Sequence, residues 1–159
     1  ELLTEIRGWL EECDGVTISG GEPFDQSDAL EELLAGIRGS AVTVLVYSGY
    51  SFERLQDLAI IGSGLVDALI SDPFLLEESQ TKALRGSDNQ RLLLLTAKGR
   101  EVFNALDRPV LDSEQRLDVM FDPSGAVWFA GIPRRGDLRR LREILASDGH
   151  WAKTTEAGQ

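Results

Sequence analysis

Short apolar runs alternate with helical stripes along this chain, and that alternation constrains its fold more than any other feature. The runs are Val16 to Ser19, Val42 to Tyr47 and Val66 to Ile70. The first reads as a buried strand. Val42 to Tyr47 is nearly continuous in apolar and β-branched side chains, as expected of a parallel strand covered on both faces. Leu30, Leu33, Leu34 and Ile37 form a helical stripe between the first two runs, and Gly39 ends it. Asp28 and Glu31 stand at capping-box spacing near its start. Residues 51–58 read as a second, short helix. Strand–helix–strand–helix–strand predicts a parallel α/β sheet.

The flanking segments extend this plan. Leu2, Leu3, Ile6 and Leu10 give an amphipathic helix that breaks at Asp14-Gly15. Residues 75–90 are polar and irregular, apart from one possible helical turn. Arg91 to Thr96 reads as another strand, and 97–106 as a short helix. Arg116 to Phe121 and Ala126 to Ala130 flank the turn Asp122-Pro123-Ser124-Gly125, a hairpin signature. A last helix is predicted over about 136–147. Residues 1–150 are read as one domain and 151–159 as a disordered tail.

The formal charge is −11. That charge argues against a sequence-independent nucleic-acid binder, which needs a basic surface to neutralise phosphates. It disfavours an anionic membrane surface for the same reason. The one basic cluster, Arg134, Arg135, Arg139, Arg140 and Arg142, reads as a solvated helix face. No run approaches the roughly 18 apolar residues of a membrane span. Cys13 is the only cysteine, so no internal disulfide forms, which fits a reducing cytoplasm. The first residue is Glu1, so the sequence is read as a processed or truncated piece.

The chemistry concentrates where strands end. Thr17-Ile18-Ser19 runs into Gly20-Gly21-Glu22-Pro23. Two adjacent glycines let a ligand lie against bare backbone. Glu22 puts a carboxylate beside that surface, and Pro23 stiffens the exit. The carboxyl end of a strand is where open α/β sheets bind ligands. The bland alternative is a tight turn that needs glycine, but the full sequence in its strand context favours a cofactor corner. Tyr47-Ser48-Gly49-Tyr50 ends the second strand on the same edge. There Ser48 is either a ligand hydrogen-bonding group or part of a turn behind a core tyrosine. Asp72, in Ser71-Asp72-Pro73-Phe74, is either a polar ligand contact or a turn residue. Arg85-Gly86-Ser87-Asp88-Asn89-Gln90-Arg91 is a polar loop, and its structural role is favoured slightly over anion binding. Gly131-Ile132-Pro133 either lines a ligand or positions the last helix. Cys13 and His150 stand alone, whereas an iron–sulfur cluster needs several thiolates and a zinc site three or four ligands. No hydrolase triad and no phosphate-loop signature is present.

These segments resemble the radical S-adenosylmethionine (SAM) proteins. Gly20-Gly21-Glu22-Pro23 resembles the family's glycine-glycine-glutamate-proline motif, whose corner holds the amino-acid end of SAM. Tyr47 to Tyr50, Asp72-Pro73-Phe74, Arg85 to Arg91 and Gly131-Ile132-Pro133 resemble the branch that activates anaerobic ribonucleotide reductase and pyruvate formate-lyase. At Ser71-Asp72 the match is imperfect, with the family's aspartate falling on Ser71 and its glycine on Asp72. The resemblance implies a partial (β/α) barrel lacking its first strand and cluster loop, with a C-terminal β-hairpin and helix. It implies SAM contacts at Gly20, Gly21, Glu22, Pro23, Ser48, Asp72 and Ile132. It further implies a 4Fe-4S cluster on Cys-x3-Cys-x2-Cys, one-electron cleavage of SAM to methionine and a 5′-deoxyadenosyl radical, and hydrogen abstraction from a glycine of a partner enzyme. A flavodoxin or ferredoxin is the implied electron donor. This chain has no Cys-x3-Cys-x2-Cys, and the cluster cysteines are expected upstream of Glu1. The fragment alone is expected to be inactive. The alternatives are a cluster-free binding or regulatory module that kept the fold, and a radical SAM enzyme acting on a peptide or small molecule.

Overall fold

The structure is a computed structural model that describes residues 2–39, 42–121 and 127–150. The chain forms two compact units, residues 1–109 and 110–159.

The first unit begins with helix α1 (Leu2–Trp9) and strand β1 (Gly15–Ile18). A 3-10 turn (Pro23–Gln26) runs directly into helix α2 (Ser27–Ile37). Strand β2 (Thr43–Tyr47), the one-turn helices α3 (Phe52–Leu55) and α4 (Ala59–Gly62), and strand β3 (Ala68–Ser71) follow. Strand β4 (Arg91–Leu94), helix α5 (Ala97–Phe103) and a second 3-10 turn (Asn104–Leu106) complete it.

The four strands form one open sheet in the order β1-β2-β3-β4. β1 pairs parallel with β2, Gly15 opposite Thr43 and Ile18 opposite Val46. β2 pairs parallel with β3, Tyr47 opposite Ile70. β4 is antiparallel to β3 and sets Arg91 opposite Ser71. The carboxyl ends of β1, β2 and β3 and the amino end of β4 therefore share one edge of the sheet. A hydrophobic run specifies a covered strand but not its direction, which is why β4 was not separable from a parallel strand by composition.

Two apolar layers sandwich the sheet. Val44, Val46 and Leu69 face Leu30, Leu34, Ile37, Leu55, Ile60 and Ile61 on one side. Leu45, Ala68 and Ile70 face Phe103 on the other, with Tyr47 and Leu92 at its margin. Burying each of the valine, leucine, isoleucine and phenylalanine side chains stabilises by about 1.5–3 kcal/mol. β1 departs from the buried strand its sequence suggests. Val16 and Ile18 are half-buried against the core while Gly15 and Thr17 are exposed, because β1 lies at an edge. The capping box at Asp28 and Glu31 does not form either. The 3-10 turn feeds α2 from Ser27, so Asp28 already lies inside the first helical turn.

Away from the strand ends, Asp67 clasps the sheet to α5. Its carboxylate accepts from the Val44 amide at 2.9 Å and from the Thr96 hydroxyl at 2.5 Å. Thr96 caps α5 by accepting from the Gly99 amide at 2.9 Å. A Cβ on Gly99 would stand 2.0 Å from the Asp67 carbonyl oxygen, so the close approach of α5 depends on glycine there.

In the second unit, strands β5 (Leu117–Phe121) and β6 (Val127–Gly131) form the expected antiparallel hairpin, Leu117 opposite Gly131. Helix α6 (Asp137–Ser147) follows. Arg134, Arg135, Arg139 and Arg140 are exposed, as on a solvated basic face, whereas Arg142 is half-buried. The expected turn residues Asp122 to Gly125 and the expected tail 151–159 lie outside the described residues. Among the described residues, no helix is long and apolar enough to cross a membrane.

Candidate functional site

The carboxyl edge of the first unit gathers most of the residues singled out by sequence. Beyond β1 the backbone turns through Gly20 at φ 92° and Gly21 at φ 58°. Both lie in the region that glycine enters without penalty. A Cβ built on either meets nothing within 4 Å, so the corner faces open space rather than packed protein. Pro23 is buried and opens the 3-10 turn. A shallow cradle of bare backbone results, of a kind that admits a ligand's polar end.

Glu22 is half-buried and reaches into the neighbouring loop. Its Oε1 accepts from the Phe24 amide at 3.2 Å and from the Ser48 hydroxyl at 2.8 Å. Its Oε2 accepts from the Gly49 amide at 2.8 Å. Ser48 is buried, and its Oγ accepts in turn from the Tyr50 amide at 3.0 Å. The Ser48 amide donates to the Ile70 carbonyl at 2.9 Å, and the Asp72 amide to the Tyr50 carbonyl at 2.8 Å. Glycine corner, post-β2 loop and β3 exit are thus linked in sequence along the edge.

A second contact crosses the same gap. The Tyr50 hydroxyl donates to Asp25 at 2.5 Å, and the Arg54 guanidinium lies 3.3 Å from the Tyr50 ring centroid. The hydrogen bond to Asp25 chiefly holds the half-buried Tyr50 phenol above its ordinary value.

At the β3 exit Asp72 adopts φ 81°, a left-handed conformation unusual for a residue with a Cβ. Arg91 holds both oxygens of its carboxylate, Nε to Oδ2 at 2.7 Å and NH2 to Oδ1 at 2.9 Å. The same guanidinium reaches Glu53 at 2.7 and 2.8 Å. Paired forks of this kind combine charge with fixed geometry. Arg91 is the leading reason that the Glu53 carboxyl is lowered to about 2. The Glu53 and Asp72 carboxylates together hold Arg91 further into its charged form.

A family described as the 4Fe-4S single cluster domain matches residues 2–93, more than half of the chain. The chain belongs to this family. It is the radical SAM activase-type domain, and the matched residues span α1 through most of β4, including the whole edge just described. No curated protein and no solved structure matches the chain.

The activase-type domain implies a 4Fe-4S cluster together with SAM. The residues present do not fit the cluster. Cys13 is the only cysteine of the chain, and no group of three or more His, Cys, Asp and Glu side chains suited to a metal occurs among the described residues. One thiolate cannot hold four irons. For SAM the fit is better. The glycine pair leaves open space at the strand end where a Cβ would otherwise intrude.

The loop before β4 is built as a scaffold of the domain. Asp88 accepts from the Thr81 and Lys82 amides at 2.7 and 3.1 Å. Gln90 accepts from the Gly86 amide at 2.8 Å and donates to the Asp72 carbonyl at 3.1 Å. Asn89 donates to the Pro73 carbonyl at 2.8 Å. The buried Arg85 pairs with Asp107 at 2.7 Å. Tyr47 packs on the far apolar layer and donates to the Leu84 carbonyl at 2.7 Å. Ile132 belongs to the second unit, just past β6. Gly131 beside it has φ 121°, and a Cβ there would lie 2.2 Å from the Arg116 carbonyl oxygen, so hairpin packing alone requires that glycine.

Sequence reasoning did not find the Arg91–Glu53 fork or the Tyr50–Asp25 bond. Their partners are 38 and 25 residues apart. Arg91 and Glu53 meet only because β4 runs antiparallel, a direction that no local pattern signals.

Proposed function

We propose that this domain is the SAM-binding body of a radical SAM activase. With a cluster supplied by residues outside this chain, it generates a glycyl radical on a partner such as anaerobic ribonucleotide reductase or a pyruvate formate-lyase-type enzyme. The observation that carries the reading is the Gly20-Gly21 corner. Two consecutive positive φ values face open space at a strand end, in a chain of the activase-type family. In this reading the open sheet is one arc of a partial barrel, and the backbone at Gly20 and Gly21 meets the amino-acid end of SAM. Pro23 fixes the exit from the corner, while Ser48 and Asp72 shape the adjoining edge. The adenine-end role of Ile132 rests on the family resemblance of Gly131-Ile132-Pro133 alone. A flavodoxin or ferredoxin in the cytoplasm supplies electrons.

The partner assignment rests on the resemblance of Tyr47 to Tyr50 and Arg85 to Arg91 to the activase branch. It is tested by joining the chain to a segment bearing Cys-x3-Cys-x2-Cys and reducing it anaerobically with SAM and a candidate reductase or lyase. A glycyl radical signal in that partner by electron paramagnetic resonance is expected. SAM cleavage coupled to a small metabolite, with no partner radical, overturns the assignment. A second reading, a cluster-free binding module, is favoured by one observation, the single cysteine. A start codon or an unrelated domain immediately upstream of Glu1 decides for it, and a three-cysteine motif decides against it.

A further inference from the structure

The identities at Gly20 and Gly21 explain why the corner is able to bend, but not what holds it bent. Glycine populates both halves of φ space, so two in succession leave the corner conformationally free unless something fixes it. The only side chain between them and the buried Pro23 is Glu22. An ionised carboxylate offers about four acceptor sites. Protein donors take three of them here, from Phe24, Ser48 and Gly49. Two of these donors belong to the loop after β2, which is itself tied to β3 through the Ser48 amide and the Tyr50 carbonyl.

We infer that Glu22 is a positioning residue, which fixes the Gly20-Gly21 corner by fastening it to the Ser48-Gly49 turn and makes no contact of its own with the ligand. The inference rests on the SAM-binding reading and assigns to backbone alone the recognition that a free carboxylate would otherwise share. A corner fixed before binding spares the ligand the entropy of ordering two glycines. Ser48, whose hydroxyl is engaged by Glu22 and by the Tyr50 amide, acts as the other half of the fastening.

The test uses the whole 159-residue chain with Glu22→Gln, Ser48→Ala and the double variant. In the free protein, the amide resonances of Gly20 and Gly21 should move in both single variants, although Ser48 is more than 25 residues away in sequence. Unmoved glycine amides in Ser48→Ala overturn the inference. Titration calorimetry with SAM should then show each single variant weakened about tenfold, the loss expected for one charge-assisted hydrogen bond. The double variant should be no weaker than Glu22→Gln, because the two side chains act through one link. Losses that multiply in the double variant would mean that Glu22 touches the ligand directly, and they also overturn the inference. No SAM binding even by the chain joined to a reconstituted Cys-x3-Cys-x2-Cys segment refutes the cofactor reading instead. The positioning claim is then decided by the Gly20 and Gly21 amides of the free variants alone.

Discussion

A methyl group added at Gly21 separates a ligand-bearing corner from a plain turn. Gly21 lies at φ 58°, and a Cβ there meets nothing within 4 Å. Gly21→Ala therefore creates no clash in the free protein. Its cost is the left-handed conformation, about 1–2 kcal/mol for a residue with a Cβ. Part of this is returned by the stiffer unfolded chain, about 0.4–1 kcal/mol. The expected net loss is about 1 kcal/mol. The same methyl projects into the space assigned to SAM, where one misplaced carbon costs about tenfold or more in affinity. Gly99→Ala is the matched control. Its Cβ would lie 2.0 Å from the Asp67 carbonyl oxygen and 2.7 Å from the carbonyl carbon. Neither is a flexible side-chain end, so α5 must retreat by more than an ångström. Overpacking costs about 1–3 kcal/mol and loosening the Thr96 cap about 1 kcal/mol, against a helix-propensity gain of about 1 kcal/mol. A net loss of about 2 kcal/mol is expected, with SAM affinity of the folded protein unchanged. Urea unfolding at constant m-value gives the stabilities, and titration calorimetry gives the affinities. The reverse pattern, Gly21→Ala collapsing stability with affinity intact, would refute the reasoning.

Three further outcomes follow from particular contacts. Burial pushes the Tyr47 phenol from 10.0 to about 12, with the Arg85 charge opposing. The folded state thus prefers the protonated phenol, so this contribution is complete below pH 10.0 and is lost as pH rises towards about 12. Urea midpoints should fall across that window and fall less in Tyr47→Phe; equal slopes would contradict the assignment. Asp72→Ala keeps the φ of 81° and loses the Arg91 fork, whereas Asp72→Gly loses the fork but sheds the strain. The glycine variant should be the more stable of the two by about 1 kcal/mol, and equal stabilities would show that the backbone there is unstrained. Anaerobic reconstitution of the chain alone with iron and sulfide should leave no stoichiometric cluster, because Cys13 is its only thiol; stoichiometric iron retained after desalting would contradict this.

What was legible in the sequence was what each element states locally. β2 and β3 are covered on both faces, so Thr43–Tyr47 and Ala68–Ser71 read as apolar runs. The α2 stripe was equally plain, since Leu30, Leu34 and Ile37 bury one face. The glycine pair announced a backbone corner because few other sequences tolerate two positive φ values. The remainder depends on tertiary geometry. β4 runs antiparallel, and the residues before it are tied to the β3 exit by Asn89 donating to the Pro73 carbonyl and Gln90 to the Asp72 carbonyl. Glu22 was placed beside the ligand surface because a carboxylate after two glycines is polar and near. Its bonds to Ser48 and Gly49 cross 26 and 27 residues of sequence, and no periodicity encodes them. Asp72 fell where the resembled family has glycine, and its φ of 81° gives the physical reason for that match.

The central claim is that the Gly20-Gly21 corner is where this domain meets SAM. The most direct measurement is a titration of glycine-labelled protein with SAM, followed by the amide resonances of its glycines. The account predicts saturable shifts at Gly20 and Gly21, with Gly49 following through Glu22 and with Gly8, Gly62 and Gly64 unmoved. No saturable shift at Gly20 and Gly21, or shifts confined to other glycines, would contradict it.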